Sequence, residues 1–136
     1  MRPETIRMVR LWVEKAEHDF RAIEGIMTLE YNCPFDAMCF HCQQACEKYL
    51  KALLTFHSIE FPKTHDLLDL FNRMPASVGL NLKGGDLAII NRYSVEPRYP
   101  GDWESFTKAE SEDALTIAKT VRDAIRSALP KSILAE

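Results

Sequence analysis

Three cysteines and a histidine fall within eight residues of this chain, in the stretch Cys39-Phe40-His41-Cys42-Gln43-Gln44-Ala45-Cys46. Closely spaced thiolates and imidazoles are the usual ligands of zinc, and an activated thiolate is also a nucleophile. Helical spacing argues against both. With Cys39 at the origin and about 100° per residue, Cys42 and Cys46 fall at roughly 300° and 340°, on the apolar stripe with Leu50 and Leu53, whereas His41 falls at roughly 200°. The histidine cannot join the thiols in one tetrahedral site without leaving the helix. No second CxxC or HxxxH supplies the ligands that a structural zinc would still need. Cysteine also behaves as a small, buried hydrophobe, and apolar burial raises a thiol's pKa. The expected role of these cysteines is packing, with no metal and no catalytic thiol.

The opposite side of the same helix carries Gln44, Glu47, Lys48, Lys51 and Thr55 as a polar strip, with His41 at its edge. As plain surface it is solvated, with Glu47 and Lys51 forming an i,i+4 pair. As a site, Gln44, Lys48 and Lys51 offer amide and ammonium donors to an anionic ligand. His65 and Asp66 follow Pro62 at the start of a helix, where unpaired N–H groups and the dipole suit an anion. Helix capping and an inter-helix hydrogen bond are their alternative roles. Arg92, Arg98 and Tyr99 lie in or beside an irregular segment, where guanidinium and phenol together suit a phosphate and a base. Alternatively, Tyr99-Pro100 plugs the bundle end while Arg98 pairs with a carboxylate. Trp103 and Phe106 read as a hydrophobic lid or a dimer contact, and Asp19 as a polar group placed to bond a neighbouring helix.

The elements that must position these residues are helices. From Glu4 to Thr28, the residues Val9, Val13, Ala16, Phe20, Ile23 and Met27 recur at helical spacing. Asn32-Cys33-Pro34 interrupts the pattern, with Pro34 in the first turn of a second helix that runs to about His57. Thr64 reads as the N-cap of a short third helix, Leu67 to Met74, and Asp86 to Tyr93 as a fourth. Glu96 to Asp102 holds two prolines and a glycine and is not regular helix. Thr107-Lys108-Ala109-Glu110 is a capping box, opening a last helix that Pro130 ends. The predicted fold class is all-α, an antiparallel up-and-down bundle of three long helices plus one or two short ones.

A chain of 136 residues, 46% hydrophobic and 27% charged, suits one soluble domain spanning residues 1–136. At that size about two-thirds of the unfolded surface can be buried without a disulfide or metal staple. A net charge of −3 argues against indiscriminate coating of nucleic acid, though not against a small basic patch. Met1 to Phe20 carries charges throughout and does not read as a signal peptide, and no apolar run is long enough to span a membrane. The expectation is a cytoplasmic protein with reduced cysteines.

The order of the motifs is more specific than any one of them. Trp12-x3-Ala16-x2-Asp19 precedes Cys42-Gln43-Gln44-Ala45-Cys46-Glu47-Lys48-Tyr49-Leu50-Lys51-Ala52-Leu53, followed by Pro62-Lys63-Thr64-His65-Asp66-Leu67, then Arg98-Tyr99-Pro100 and an alanine-rich helix. Over essentially the whole chain this resembles the HEPN domain family (higher eukaryotes and prokaryotes nucleotide-binding). The resemblance implies a helical bundle, usually dimeric, associated with nucleotide or RNA biology. Many such proteins pair with a minimal nucleotidyltransferase in toxin–antitoxin-like modules; others are similar to bundles that help close a nucleotide site. A third group are metal-independent ribonucleases with an R-x4-6-H motif. Here no arginine precedes any of His18, His41, His57 or His65 with four to six residues intervening, and the last helix has no histidine. The implied function is therefore a non-catalytic binding module acting with a nucleotidyltransferase partner, as a homodimer, with no required cofactor and with nucleotide as the candidate ligand. A ribonuclease or nucleotide-modifying enzyme without the usual motif, and a purely structural dimeric bundle, stand as alternatives.

Overall fold

The computed structural model of the chain describes residues 1–94 and 105–135. Helix α1 runs Pro3–Met27 and α2 runs Phe35–Phe56; the short α3 (Leu67–Asn72) and α4 (Gly84–Asn91) follow, with a single 3-10 turn, Ala76–Val78, between them. Helix α5 runs Lys108–Ala128, and a last short helix, α6, runs Lys131–Leu134. The expected antiparallel bundle of three long helices is present, and no strand occurs among the described residues.

Helix α2 is the central element. Thirteen of its 22 residues are buried, against five on the longer α1, because α1, α5 and the α3–α4 pair each cover part of it. Cys39, Cys42, Ala45, Cys46 and Ala52 are completely buried, and small side chains of this kind let neighbouring helices approach closely. Val9, Ala16, Phe20 and Ile23 of α1 meet Ala114, Ala118, Val121 and Ile125 of α5 in the same core. Burying α2 on so many sides brings polar residues in with the apolar ones: Gln43, Glu47 and Lys51 are all buried.

The helix ends follow local chemistry. Pro34 is the N-cap of α2 rather than part of its first turn. At the C-terminal end, Ser58 N–H bonds Thr55 O (3.0 Å) and Ile59 N–H bonds Leu54 O (2.9 Å), a Schellman motif that holds Ser58 at φ 56°. Asp66, not Thr64, caps α3: its carboxylate accepts from Leu68 N and Asp69 N, and Thr64 Oγ1 instead accepts from Asp66 N. The aspartate wins because it reaches two N–H groups of the first turn. Thr107 and Glu110 form the full capping box of α5. Pro130 ends α5 as expected and also caps α6, which Arg10 ties to α1 by donating to Ile133 O (3.0 Å) and Ser132 O (3.1 Å).

Candidate functional site

The polar strip of α2 is not a bare solvated face. Two turns of it are built around buried carboxylates. Asp19, from α1, accepts from His41 Nδ1 through Oδ1 (2.8 Å) and from Lys48 Nζ through Oδ2 (2.7 Å). Glu47 accepts from His65 Nδ1 through Oε1 (2.9 Å) and from Lys51 Nζ through Oε2 (2.9 Å). The side chains of Asp19 and Glu47 are only 7% and 5% exposed. Desolvating a carboxylate is costly, and each is compensated by a lysine and a histidine.

Glu47 and Lys51 thus depart from the solvated i,i+4 pair that their spacing suggests. Lys51 Nζ also lies 5.4 Å from the Trp12 ring centroid and 5.9 Å from that of Phe61, and its side chain is 9% exposed. Its ammonium is held inside the protein and is poorly placed for an outside ligand. Gln43 donates to the carbonyl of His65 (2.9 Å) and Gln44 donates to Gln43 Oε1 (2.8 Å), which fastens the 59–66 segment onto α2. Gln44, Lys48 and His65 remain at the edge of this assembly, and the side chains of Lys48 and His65 are 23% and 63% exposed.

Asp66 is consumed at the start of α3. Asn91 Nδ2 donates to Asp66 Oδ1 (2.8 Å) while Asn91 Oδ1 accepts from Leu67 N (2.9 Å), so the first-turn N–H groups already have acceptors. Asn91 and the capping N–H groups hold the Asp66 carboxyl below its ordinary pKa. Arg92 is exposed on the other side of α4, 3.8 Å from Glu110 and beside the Tyr93 ring. Arg98, Tyr99, Pro100 and Trp103 lie outside the described residues. Phe106 packs edge-on against Tyr93, ring centroids 4.6 Å apart, and its N–H donates to Asp36 at 2.6 Å.

A further network joins α1, α2 and α5. Tyr49 donates to Glu17, Arg126 donates to Tyr49 Oη (3.1 Å), and Arg122 pairs with Glu17 (3.3 Å) while stacking over Phe20. Burial, with the Glu17 hydrogen bond, pushes the Tyr49 phenol up to about 12. Burial likewise pushes the Cys39 and Cys42 thiols up to about 12 and Cys46 well above its ordinary value. Such thiols are protonated, packed and chemically quiet at neutral pH. No group of three or more metal-ligating side chains occurs among the described residues. Among the described residues, no helix is long and apolar enough to cross a membrane.

Sequence spacing places Gln44 and Lys48 on one face correctly, but does not single out Asp19 and His41 as partners. The one local signal is a lone aspartate beside an apolar stripe. A buried acid needs a donor from another helix, and His41 is the polar-face residue one turn before Gln44.

An antiparallel helical bundle with polar clusters between its helices is one class of protein, and the comparisons make it narrower. The family model described as HEPN domain matches residues 9–128, and the chain belongs to the HEPN domain family. Among solved structures it is similar to TT1696 from Thermus thermophilus, with 24% identity and a TM-score of 0.73 over 89% of this chain and 98% of that one. It is also similar to ST0689, described as an archaeal HEPN homologue, with 22% identity and a TM-score of 0.66 over 88% of this chain and 95% of that one. At these identities the likeness concerns the fold. No curated protein matches.

Proposed function

We propose that this chain is a non-catalytic HEPN-type module associated with nucleotide or RNA. In this proposal it acts as a homodimer with a minimal nucleotidyltransferase partner, in a toxin–antitoxin-like pair. The observation that carries the proposal is family membership over residues 9–128 in a sequence without the R-x4-6-H pair. Metal-independent cleavage needs such a pair to activate the ribose 2′-oxygen and stabilise the phosphate. The two arginines of α5, Arg122 and Arg126, are instead engaged with Glu17 and Tyr49. The proposed ligand contacts are Gln44, Lys48, His65 and Arg92, together with Arg98 and Tyr99.

A pull-down from the native cell, with mass spectrometry of bound protein and nucleotide, tests the association. A nucleotidyltransferase is the expected companion; elution alone, without nucleotide, removes the proposal. Labelled RNA incubated with and without Mg²⁺ is expected to stay intact, and cleavage under either condition would favour the enzyme alternative. Nucleotide is expected to raise the apparent stability, since it binds only the native state. An Arg98→Ala variant that keeps the full thermal shift removes Arg98 from the site.

A further inference from the structure

The Asp19 and Glu47 clusters repeat one arrangement. In each, one carboxylate oxygen takes a histidine Nδ1 and the other takes a lysine Nζ, all at 2.7–2.9 Å. An ionised carboxylate can only accept, so Nδ1 carries the hydrogen in both histidines and the outward ring nitrogen is Nε2. Neither Nε2 has a partner among the described residues. Lys48 has two N–H donors beyond the one given to Asp19, and Gln44 has one beyond that given to Gln43. His41, Gln44 and Lys48 are spaced i, i+3, i+7 and share one stripe of α2, and His65 reaches the next turn through Glu47.

As mere ties of α2 to α1 and to the 59–66 segment, these clusters are over-equipped. The lysine alone neutralises each carboxylate, and packed apolar residues would hold the helices as well or better. What the histidines add is an imidazole of fixed orientation at the surface. We infer that the α2 strip edged by His41 and His65 is an oxyanion site for the phosphates of a nucleotide or an RNA strand, with Lys48 and Gln44 as donors, His41 Nε2 and His65 Nε2 as further ligand contacts, and Asp19 and Glu47 as positioning residues. It rests on the nucleotide or RNA association proposed above and gives that association its chemistry. Phosphate binds through charge-assisted N–H···O bonds from the Lys48 ammonium, and a histidine whose Nδ1 hydrogen is given to a carboxylate donates through Nε2 only in its doubly protonated form.

Calorimetric titration with pyrophosphate, ADP and a short single-stranded oligoribonucleotide tests this. His41→Asn and His65→Asn each keep an amide N–H near the Nδ1 position, and so the carboxylate tie, but delete Nε2. Each is expected to weaken binding about tenfold, the effect of one lost charge-assisted hydrogen bond, with an unchanged melting midpoint. Asp19→Asn is expected to move the His41 Nε2 ¹⁵N resonance and abolish its response to pyrophosphate. Preference for ADP assigns the site to free nucleotides, and preference for the oligonucleotide assigns it to a strand. The inference is overturned if no probe binds at millimolar concentration, or if both histidine variants bind within twofold of the parent. If a nucleotidyltransferase still co-purifies in either case, only the phosphate site is lost and the partner proposal stands.

Discussion

Four cysteines in different settings show what burial does to one functional group. Cys39, Cys42 and Cys46 are completely buried on α2, while Cys33, in the α1–α2 connection, is half-buried with its thiol 3.6 Å from Ile26 O. At pH 8 a thiol reagent is expected to label Cys33 alone in the native protein and all four cysteines in denaturant; native labelling of any other would contradict the buried assignment. The same burial has a pH consequence. Unfolded thiols ionise near 9 and the folded Cys39 and Cys42 near 12, so between those values the native state retains protons that the unfolded state has lost. Their contribution to stability is complete below pH 9 and is expected to fall as the pH rises from 9 to 12. Urea titrations across that interval would show it, and a flat or rising stability would refute it. Glu47 makes a second case. Removing it as Glu47→Ala strands Lys51 in a buried site and is expected to cost about 3 kcal/mol, whereas Glu47→Leu combined with Lys51→Met is expected to cost far less. Equal losses in chemical denaturation would refute the pairing. Spacing shows that Glu47 and Lys51 can pair, but not that the pair is buried. An i,i+4 acid–base pair looks the same in sequence whether water or the 59–66 segment covers it, and that cover comes from residues distant along the chain.

The helices themselves are more legible than their ends. The long stripe of α1 and the capping box at Thr107 are local signals; the structure forms the box and buries Val9, Ala16, Phe20 and Ile23 as expected, but leaves Met27, in the last turn of α1, exposed. Where an end differs from expectation, adjacent candidates compete for it. Thr64 and Asp66 both have capping side chains, and Asp66 is the cap because its carboxylate reaches Leu68 N and Asp69 N, with Asn91 of α4 bonding the same oxygen. Helix α6 is not announced in the sequence because Pro130 reads as a terminator, while its single turn depends on Arg10 from the far end of the chain. Ser58 shows the same limit. Nothing in its local sequence announces a left-handed residue, since glycine is the usual choice at that position of a Schellman motif. A serine at φ 56° carries backbone strain that glycine does not. Ser58→Gly is therefore expected to stabilise the protein by roughly 0.5–1 kcal/mol, after allowing for the greater unfolded-state freedom of glycine. A lower denaturation midpoint for this variant would show that the serine hydroxyl contributes more than the backbone conformation costs.

Across the whole molecule, the fold is organised by one helix that touches nearly everything else. Helix α2 packs against α1, α5, α3 and α4, whereas α6 meets α1 and α3 lies mainly between α2 and α4. That hierarchy is only half visible in sequence. The apolar content of α2 marks it as buried, but which helices surround it depends on how the chain returns after residue 66. Unequal packing implies unequal local stability, because an amide exchanges through the cheapest opening that frees it. Opening α2 exposes its neighbours' core faces too, so its amides should exchange only through global unfolding. Helices α3 and α4 and the 3-10 turn bury few residues each, namely Leu67, Leu70, Leu87 and Ile90, with none in the turn. They can detach while α1, α2 and α5 remain packed. Native-state hydrogen exchange is expected to give α2 amides the full unfolding free energy, with the same denaturant dependence as the global transition, and to give α3, α4 and α6 smaller values. Glu47→Ala should lower α3 further than α5, because Glu47 fastens the segment that leads into α3. Uniform protection across all these helices would show instead that the short ones are integral to a single cooperative unit, and that the α2-centred hierarchy does not govern how the molecule opens.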